Sequence, residues 1–471
     1  MLKSIYNLSP HFVKSISRKL YSKFKKPIWK NPVFLKWYNF LQESQWWSRE
    51  KLEEYQMQQL SKLLNHTYEN VPYYRRVFDE RGLKPKEFQN LDDLRRLPLL
   101  NKDIVRENLK DLIAKNISEE SIEYVTTGGS TATPTKFAIL KRDTEIKRLA
   151  FEWRYWNWMD YKFGDRCAIL RSNIVKKKKD GMDDWWEYDR KNNYLILSTY
   201  DMTPENLSHY LEKIEEFRPR SIRAYPSAIE VLARFIKKKG LDVNQDKYLK
   251  GISTTSETLF PGQRVLIEET FNCPVFDKLG HTELAVIAGN CKKREGYHIS
   301  PEYGIVELID KENQLIRGFN EIGEIVATGF INLAMPLIRY RTGDLASWEE
   351  KECGCGRKLP LLTNLQGRIQ ELIVTKDGGL ITLTNFIWPQ SSLLDNVYQF
   401  QFYQNKPGAV LVRIVRKANY TKADTKALLQ DFKERIKERA DFKIEFVGEI
   451  PRTSRGKFNY LIQKLNIEKF F

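Results

Sequence analysis

Among 471 residues there are only five cysteines, Cys167, Cys273, Cys291, Cys353 and Cys355. The odd count, in a chain without a secretion signal, argues against a disulfide framework and leaves buried thiols or metal ligation open. No apolar run approaches the ~20 residues that span a bilayer. The N-terminal MLKSIYNLSPHFVKSISRKLYSKFKKPIWK has no continuous apolar segment followed by small residues, so a signal peptide is not expected either. There is no Gly-x-x-x-x-Gly-Lys-Ser/Thr loop, no dinucleotide-binding glycine fingerprint and no grouping that suggests a Ser-His-Asp triad. No internal repeat is visible, which removes solenoids and propellers.

Acidic residues are in deficit. Sixty-one Asp and Glu face 78 Lys and Arg, for a formal net charge of +17. Such a charge suits an acidic polymer, an anionic membrane surface or simply a solvated basic face. The basic residues are scattered rather than gathered in one recognition element, so nucleic acid is not an expected partner. Hydrophobic residues make up 41% of the chain and aromatics 13%, enough for a large core and unlike a disordered chain. The length calls for two or three domains.

Residues 1–50 read as a basic helical extension. Phe12, Val13, Ile16, Leu20 and Tyr21 recur at near-helical spacing between lysines and arginines. That stripe suits docking on the protein's own body, or lying on a membrane. Residues 51–366 read as a large α/β domain. Helices run to about 120. Beyond them the β-rich runs RCAILRS, SIRAY, GISTTSE and PVFDKLG alternate with amphipathic helices, predicting βαβ units and a mainly parallel sheet flanked by helices. From 303 to 350 the runs YGIVELID, GEIVATGF and LIRYRTGD predict a β-rich subdomain, antiparallel or barrel-like. The charged, aromatic stretch 176–193 predicts a surface loop. Residues 367–471 read as a small, mobile α+β domain, with a hairpin turning at Asp377-Gly378-Gly379.

The chemistry-bearing fragments follow in order. Thr126 to Lys136, TTGGSTATPTK, comes after the short strand-like IEYV; its glycines let backbone approach phosphate oxygens, its hydroxyls donate, and its lysine adds charge. Gly280-His281-Thr282-Glu283 follows PVFDK, where a glutamate at a strand end suits magnesium beside polyphosphate. Tyr340 to Asp344 offers a carboxylate in a tight turn, suited to two ribose hydroxyls. Gly367-Arg368 sets a cation at the suspected hinge. Pro451 to Lys457 forms a loop ending in a lysine. Each fragment alone reads equally as turn, cap or solvated charge; the order of all five does not. Tyr225-Pro226-Ser227 marks a strand-to-helix turn, with Ser227 a candidate N-cap.

In that order of motifs the sequence resembles the adenylate-forming superfamily, most closely the phenylacetate–coenzyme A ligase-like branch and its CapK-like, capsule-biosynthesis members, over about residues 90–471. The resemblance implies ATP-dependent activation of a carboxylic acid to an acyl-adenylate, pyrophosphate release, and transfer to coenzyme A or to another thiol, amine or sugar-linked acceptor. It assigns Thr126, Thr127, Gly128, Gly129, Ser130, Thr131 and Lys136 to phosphate binding. Ser256 and Glu257 would border the adenine, with Gly280, His281 and Thr282 in the same nucleotide site. Glu283 would hold Mg²⁺, Asp344 the ribose, Arg368 would follow the hinge glycine, and Lys457 would serve adenylation. The sequence departs from the pattern at Leu279, where an aromatic usually stacks on adenine, and at Gln370 in the hinge.

Cys291, His298, Cys353 and Cys355 offer three thiolates and one imidazole, a set that suits tetrahedral Zn²⁺ and reads equally as buried thiols. The resemblance favours a structural zinc. Aromatic residues around 150–160 and 224–260 hint at a hydrophobic or aryl acid. The expected location is cytoplasmic, with the basic N-terminus a peripheral contact for the inner membrane face. The competing readings are a non-catalytic nucleotide-binding relative and a basic protein that binds an acidic polymer or membrane.

Overall fold

The computed structural model describes residues 27–126, 135–171, 185–199, 202, 206–366, 372–383, 392–394, 396–451 and 458–470. The chain enters through α1 (Pro32–Ser44), started by Pro32 and by the Asn31 side chain, which accepts from the Val33 amide at 2.9 Å. Helices α2 (Arg49–Asn70), α3 (Pro72–Glu80) and α4 (Lys102–Glu107) follow. Phe34 and Leu41 of α1 are fully buried, and Trp37 lies 5.8 Å from Phe151. The described part of the N-terminal extension is therefore docked on the protein's own body. The stripe at 12–21 lies outside the described residues. No described helix is long and apolar enough to cross a membrane.

A two-stranded hairpin, β1 (Ile122–Thr126) and β2 (Lys136–Leu140), precedes α5 (Thr144–Trp158). Strands β3 (Cys167–Leu170), β4 (Trp186–Asp189) and β5 (Tyr194–Leu197) lead to α6 (Leu207–Phe217). Then β6 (Ser221–Ala224), α7 (Pro226–Lys239), β7 (Gly251–Thr255), α8 (Pro261–Phe271) and β8 (Val275–Gly280) alternate as the sequence predicts. Strands β5, β3, β6, β7 and β8 are parallel. The β6 and β7 strands are buried at every position, as expected where helices cover both faces.

Strands β9 (Ile287–Gly289), β10 (Tyr297–Ile299), β11 (Gly304–Ile309), β12 (Gly323–Gly329), β13 (Tyr340–Trp348) and β14 (Leu361–Thr363) are antiparallel to their neighbours. The antiparallel region is not a free-standing barrel. It continues the parallel sheet edge to edge in one twelve-stranded sheet of order β11-β12-β13-β14-β10-β9-β8-β7-β6-β3-β5-β4.

The stretch expected to be a loop at 176–193 contains β4, which closes that sheet as an antiparallel edge strand on β5. Its Glu187 and Asp189 are tolerable there because an edge strand keeps one flank in water. After β15 (Leu372–Val374) and β16 (Leu380–Thr382), the hairpin turning at 377–379, come β17 (Val397–Lys406), β18 (Ala409–Arg416), α9 (Lys422–Ile436), β19 (Asp441–Phe446) and β20 (Leu461–Gln463). The last four strands make a separate sheet, β19-β18-β17-β20, with Leu428 and Phe432 of α9 buried in the core that includes Phe402 and Val412.

Candidate active site and a thiolate–imidazole cluster

The carboxyl ends of parallel strands are where an open α/β sheet leaves a crevice, since each chain turns away there into its helix. Here β8 ends at Gly280, and the next residues face the β12–β13 pair. His281 Nε2 donates to Asp344 Oδ2 at 2.6 Å, and Tyr340 OH donates to Glu283 Oε1 at 3.1 Å. Glu283 and Asp344, 61 positions apart in sequence, are both buried and are held at one place by these two bonds.

Asp344 does not sit in the tight turn the sequence suggested. Residues 340–348 are one strand, and Glu324 pairs with Leu345 while Val326 pairs with Arg341. The extra residues form a bulge, made possible by Gly343 at φ +78°. The bulge is anchored by Glu324, which takes the Gly343 amide at 3.2 Å and pairs with Arg341. Burial outweighs that pairing and pushes the Glu324 carboxyl above its ordinary range.

Ser256 follows β7 with φ +73°, a strained conformation for a residue with a side chain. It lines a cavity of about 230 Å³ together with Gly280, His281 and Thr282. His281 Nδ1 is buried with no partner among the described residues. Leu279 is buried in the core beside this loop. The phosphate-loop candidates are only partly visible. Thr126 pairs with Lys136 across the β1–β2 hairpin, and the Lys136 side chain is exposed. Thr127, Gly128, Gly129, Ser130 and Thr131 lie outside the described residues, as do Arg368 and Lys457.

Glu257 has a role the sequence did not disclose. Its carboxylate accepts from the Ser227 amide at 3.0 Å and hydroxyl at 3.1 Å, at the start of α7, and from the Phe458 amide at 2.8 Å. Ser227 is thus not the N-cap; Tyr225 precedes the helix. Two residues further, Tyr460 OH donates to Glu230 Oε2 at 3.0 Å and accepts from Gln263 Nε2 at 2.9 Å. The Phe260 ring meets it edge-on at 5.4 Å. Burial and then Glu230 hold the Tyr460 phenol well above its ordinary value, so it remains a donor. Through these contacts the small domain is fastened to α7 and α8, beside Ser256. Only the proximity of Tyr460 to the lysine-bearing loop could have hinted at them.

The four metal-ligand candidates converge. The ligand atoms of Cys291, His298, Cys353 and Cys355 all lie within 4.8 Å of one another. Cys291 Sγ is 3.5 Å from Cys353 Sγ, and Cys355 Sγ is 3.4 Å from His298 Nε2. Tetrahedral zinc with Zn–S bonds of about 2.3 Å would set sulfurs roughly 3.8 Å apart, so the donors fit it with small adjustment. Burial raises the Cys355 thiol, but bonds from His298 and the Arg357 backbone outweigh it and bring the thiol down to about 5, favouring thiolate. The cluster joins the β9–β10 hairpin to the loop between β13 and β14. Cys167 and Cys273 are buried core residues, as expected.

Residues 373–464 match the family described as the CapK C-terminal domain. The chain is 27% identical over 418 residues to Protein CapK of Staphylococcus aureus, spanning 88% of this chain and 90% of that protein. It is 26% identical over 345 residues to phenylacetate-coenzyme A ligase of Thermus thermophilus, spanning 70% and 73% respectively. Among solved structures, 2-hydroxyisobutyryl-CoA ligase in the postadenylation state, in complex with 2-HIB-AMP, superposes with a TM-score of 0.69 at 19% identity, over 91% of this chain and 94% of that one. The same ligase in the thioesterification state gives 0.56 at 18% identity, over 90% and 92%.

Proposed function

We infer that this CapK-like chain, built on the fold of the adenylate-forming ligases, activates a carboxylic acid with ATP, forming an acyl-adenylate and releasing pyrophosphate. The observation that carries this reading is the meeting of the Gly280–Glu283 loop with Asp344, joined by the His281–Asp344 bond of 2.6 Å at the carboxyl edge of the sheet. The likeness to phenylacetate-coenzyme A ligases supports it.

Attack of a carboxylate on the α-phosphorus brings two anions together, so positioning and charge compensation supply most of the rate. No general base is required, because the acid is already ionised near neutral pH. Asp344 takes the ribose hydroxyls, and Ser256 and Glu257 border the adenine. The loop from Thr126 to Lys136 holds the outer phosphates. Glu283, a buried carboxylate steadied by Tyr340, suits Mg²⁺, which when bound offsets phosphate charge. Lys457 neutralises charge at the reacting oxygens, and Arg368 adds a cation at the hinge.

The acceptor is coenzyme A or another thiol, amine or sugar-linked group; a place in cell-surface polysaccharide synthesis is suggested by the name CapK alone. Acid-dependent ATP–pyrophosphate exchange tests the reading. Exchange that depends on a carboxylic acid is expected; nucleotide binding with no exchange for any acid would favour the non-catalytic reading, to which Leu279 in the usual stacking position lends its weight.

In the arrangement described, Tyr460 fastens the small domain to α7 and α8. Tyr460→Phe removes a donor to a buried carboxylate, a bond class worth about 1.5–3 kcal/mol. Exchange is expected to slow by roughly tenfold or more, with the thermal midpoint of the chain little changed.

The cysteine–histidine cluster is a structural zinc site in this reading, stapling the β9–β10 hairpin to the β13–β14 loop and taking no part in catalysis. Cys355→Ser is expected to remove about one equivalent of zinc per chain, measured by elemental analysis, and to lower the thermal midpoint.

A further inference from the structure

The cavity that begins at Ser256 and Gly280 has an unusual far wall. On α5, Glu145, Arg148 and Glu152 fall three and four residues apart and share one face. Lys278 of β8 and Arg171, just beyond β3, complete that wall. Lys278 Nζ lies 2.6 Å from Glu152, Arg148 also pairs with Glu152, and Arg148 Nε donates to Glu145 at 2.9 Å. Burial lowers the Lys278 ammonium, with Glu152 pulling the other way, and it settles at about 8, still charged at neutral pH.

The two carboxylates are thus taken up by Arg148 and Lys278. Arg171 is left over. Its guanidinium makes no hydrogen bond and no ion pair among the described residues; its contact is with the Tyr225 ring, 5.7 Å away. Burial pulls it below the ordinary guanidinium value, with only partial compensation from Glu152. A partly buried cation that must share Glu152 with Arg148 and Lys278 is under-compensated, and a neutral acyl group laid over it would remove the remaining water.

We propose that the acid activated here carries a second anionic group, and that Arg171 receives it. This rests on the adenylation reading above and narrows it. The acid's reacting carboxylate lies toward Gly280 and the nucleotide, and its other end faces Arg171, with Lys278 as the neighbouring charge. The apolar side of the cavity, Ile139 and Val286, leaves room for a short carbon chain between them. Two chemical forms meet this description, a dicarboxylate and a phosphorylated carboxylate.

The test is pyrophosphate exchange with size-matched acids in three arms: dicarboxylates, phosphorylated carboxylates, and aliphatic or aryl monocarboxylates. The wild-type chain is expected to favour one of the anionic arms over its neutral match by about 10²-fold in kcat/KM, the size of a charge-assisted contact. Arg171→Met is expected to collapse that ratio, chiefly through KM, and Arg171→Lys to restore part of it. Because no described side chain is hydrogen-bonded to Arg171, Arg171→Met should keep or raise the thermal midpoint; a merely structural arginine would lower it and leave the ratio alone. Preference of the wild type for monocarboxylates, or an unchanged ratio in Arg171→Met, overturns the proposal while leaving adenylation intact. Exchange with none of the arms overturns the adenylation reading and this proposal together.

Discussion

Replacing Lys457 with alanine is expected to lower acid-dependent ATP–pyrophosphate exchange by about 10²–10³-fold, the usual consequence of removing one donor aimed at developing charge. The physical case is that both reactants are anionic, and the large domain's own groups at the junction, Glu283 and Asp344, are anionic too. Lys457 would add a cation beside these carboxylates. The chain just after residue 457 is held to the large domain: the Phe458 amide is bound by Glu257, the residue after Ser256, and Tyr460 by Glu230 and Gln263. The loss should fall on kcat, with ATP binding largely kept, since the contact is made as charge builds rather than in the ground state. Equal exchange in Lys457→Ala and the wild type would remove this lysine from the reaction.

The largest effect on stability is expected at Glu302. Arg154 Nη1 and Glu302 Oε1 are 2.8 Å apart with both side chains fully buried. Ser44 of α1 also donates to Glu302, while Arg154 reaches Ser300, whose hydroxyl lies 2.6 Å from Tyr155 OH. One ion pair therefore ties the N-terminal helix, α5 and the segment between β10 and β11. Phe151, Tyr155 and Trp158 surround the guanidinium, so water cannot replace a missing partner. Glu302→Ala should destabilise the large domain by about 3–5 kcal/mol, the cost of leaving a buried charge uncompensated. The paired change Arg154→Met with Glu302→Leu should cost much less, because it removes both charges. Thermal denaturation of the two variants side by side checks this; an equal loss in both would mean that packing, not charge, sets the effect.

Much of the architecture was legible because its signals are periodic. The runs at 167–170, 221–224, 251–255 and 275–280 are short, and the intervening helices have clear stripes and start signals such as Pro226 and Pro261. The unity of the sheet was not legible. The strands that join its parallel and antiparallel parts, β9 and β10, have three residues each, too few for any period to show. Strand β4 was hidden by its own charge. The bulge at Gly343 looks like a turn in sequence because both use glycine at positive φ; only pairing with β12 tells them apart.

In the candidate site, residues in local motifs were legible as candidates, and residues that make contacts across domains were not. Glu283, Asp344 and the Cys/His set stood out by type and spacing. Glu230, Gln263 and Tyr460 carry no motif, and their meaning comes from the docking of one domain on another. The aromatic richness around 150–160 pointed toward an aryl acid, yet Phe151, Trp153, Trp156 and Trp158 are buried in the core shared with α1. The face of α5 turned to the cavity is the charged one.

The central claim is that the acid's own oxygen bonds to the α-phosphorus of ATP. It can be read directly by supplying an acid that supports turnover with both carboxyl oxygens labelled with ¹⁸O, then examining the nucleotide product by mass spectrometry after transfer to the acceptor. Adenylation predicts one ¹⁸O in AMP and none in pyrophosphate. Label in orthophosphate alongside unlabelled ADP would place the attack on the γ-phosphorus and contradict the account.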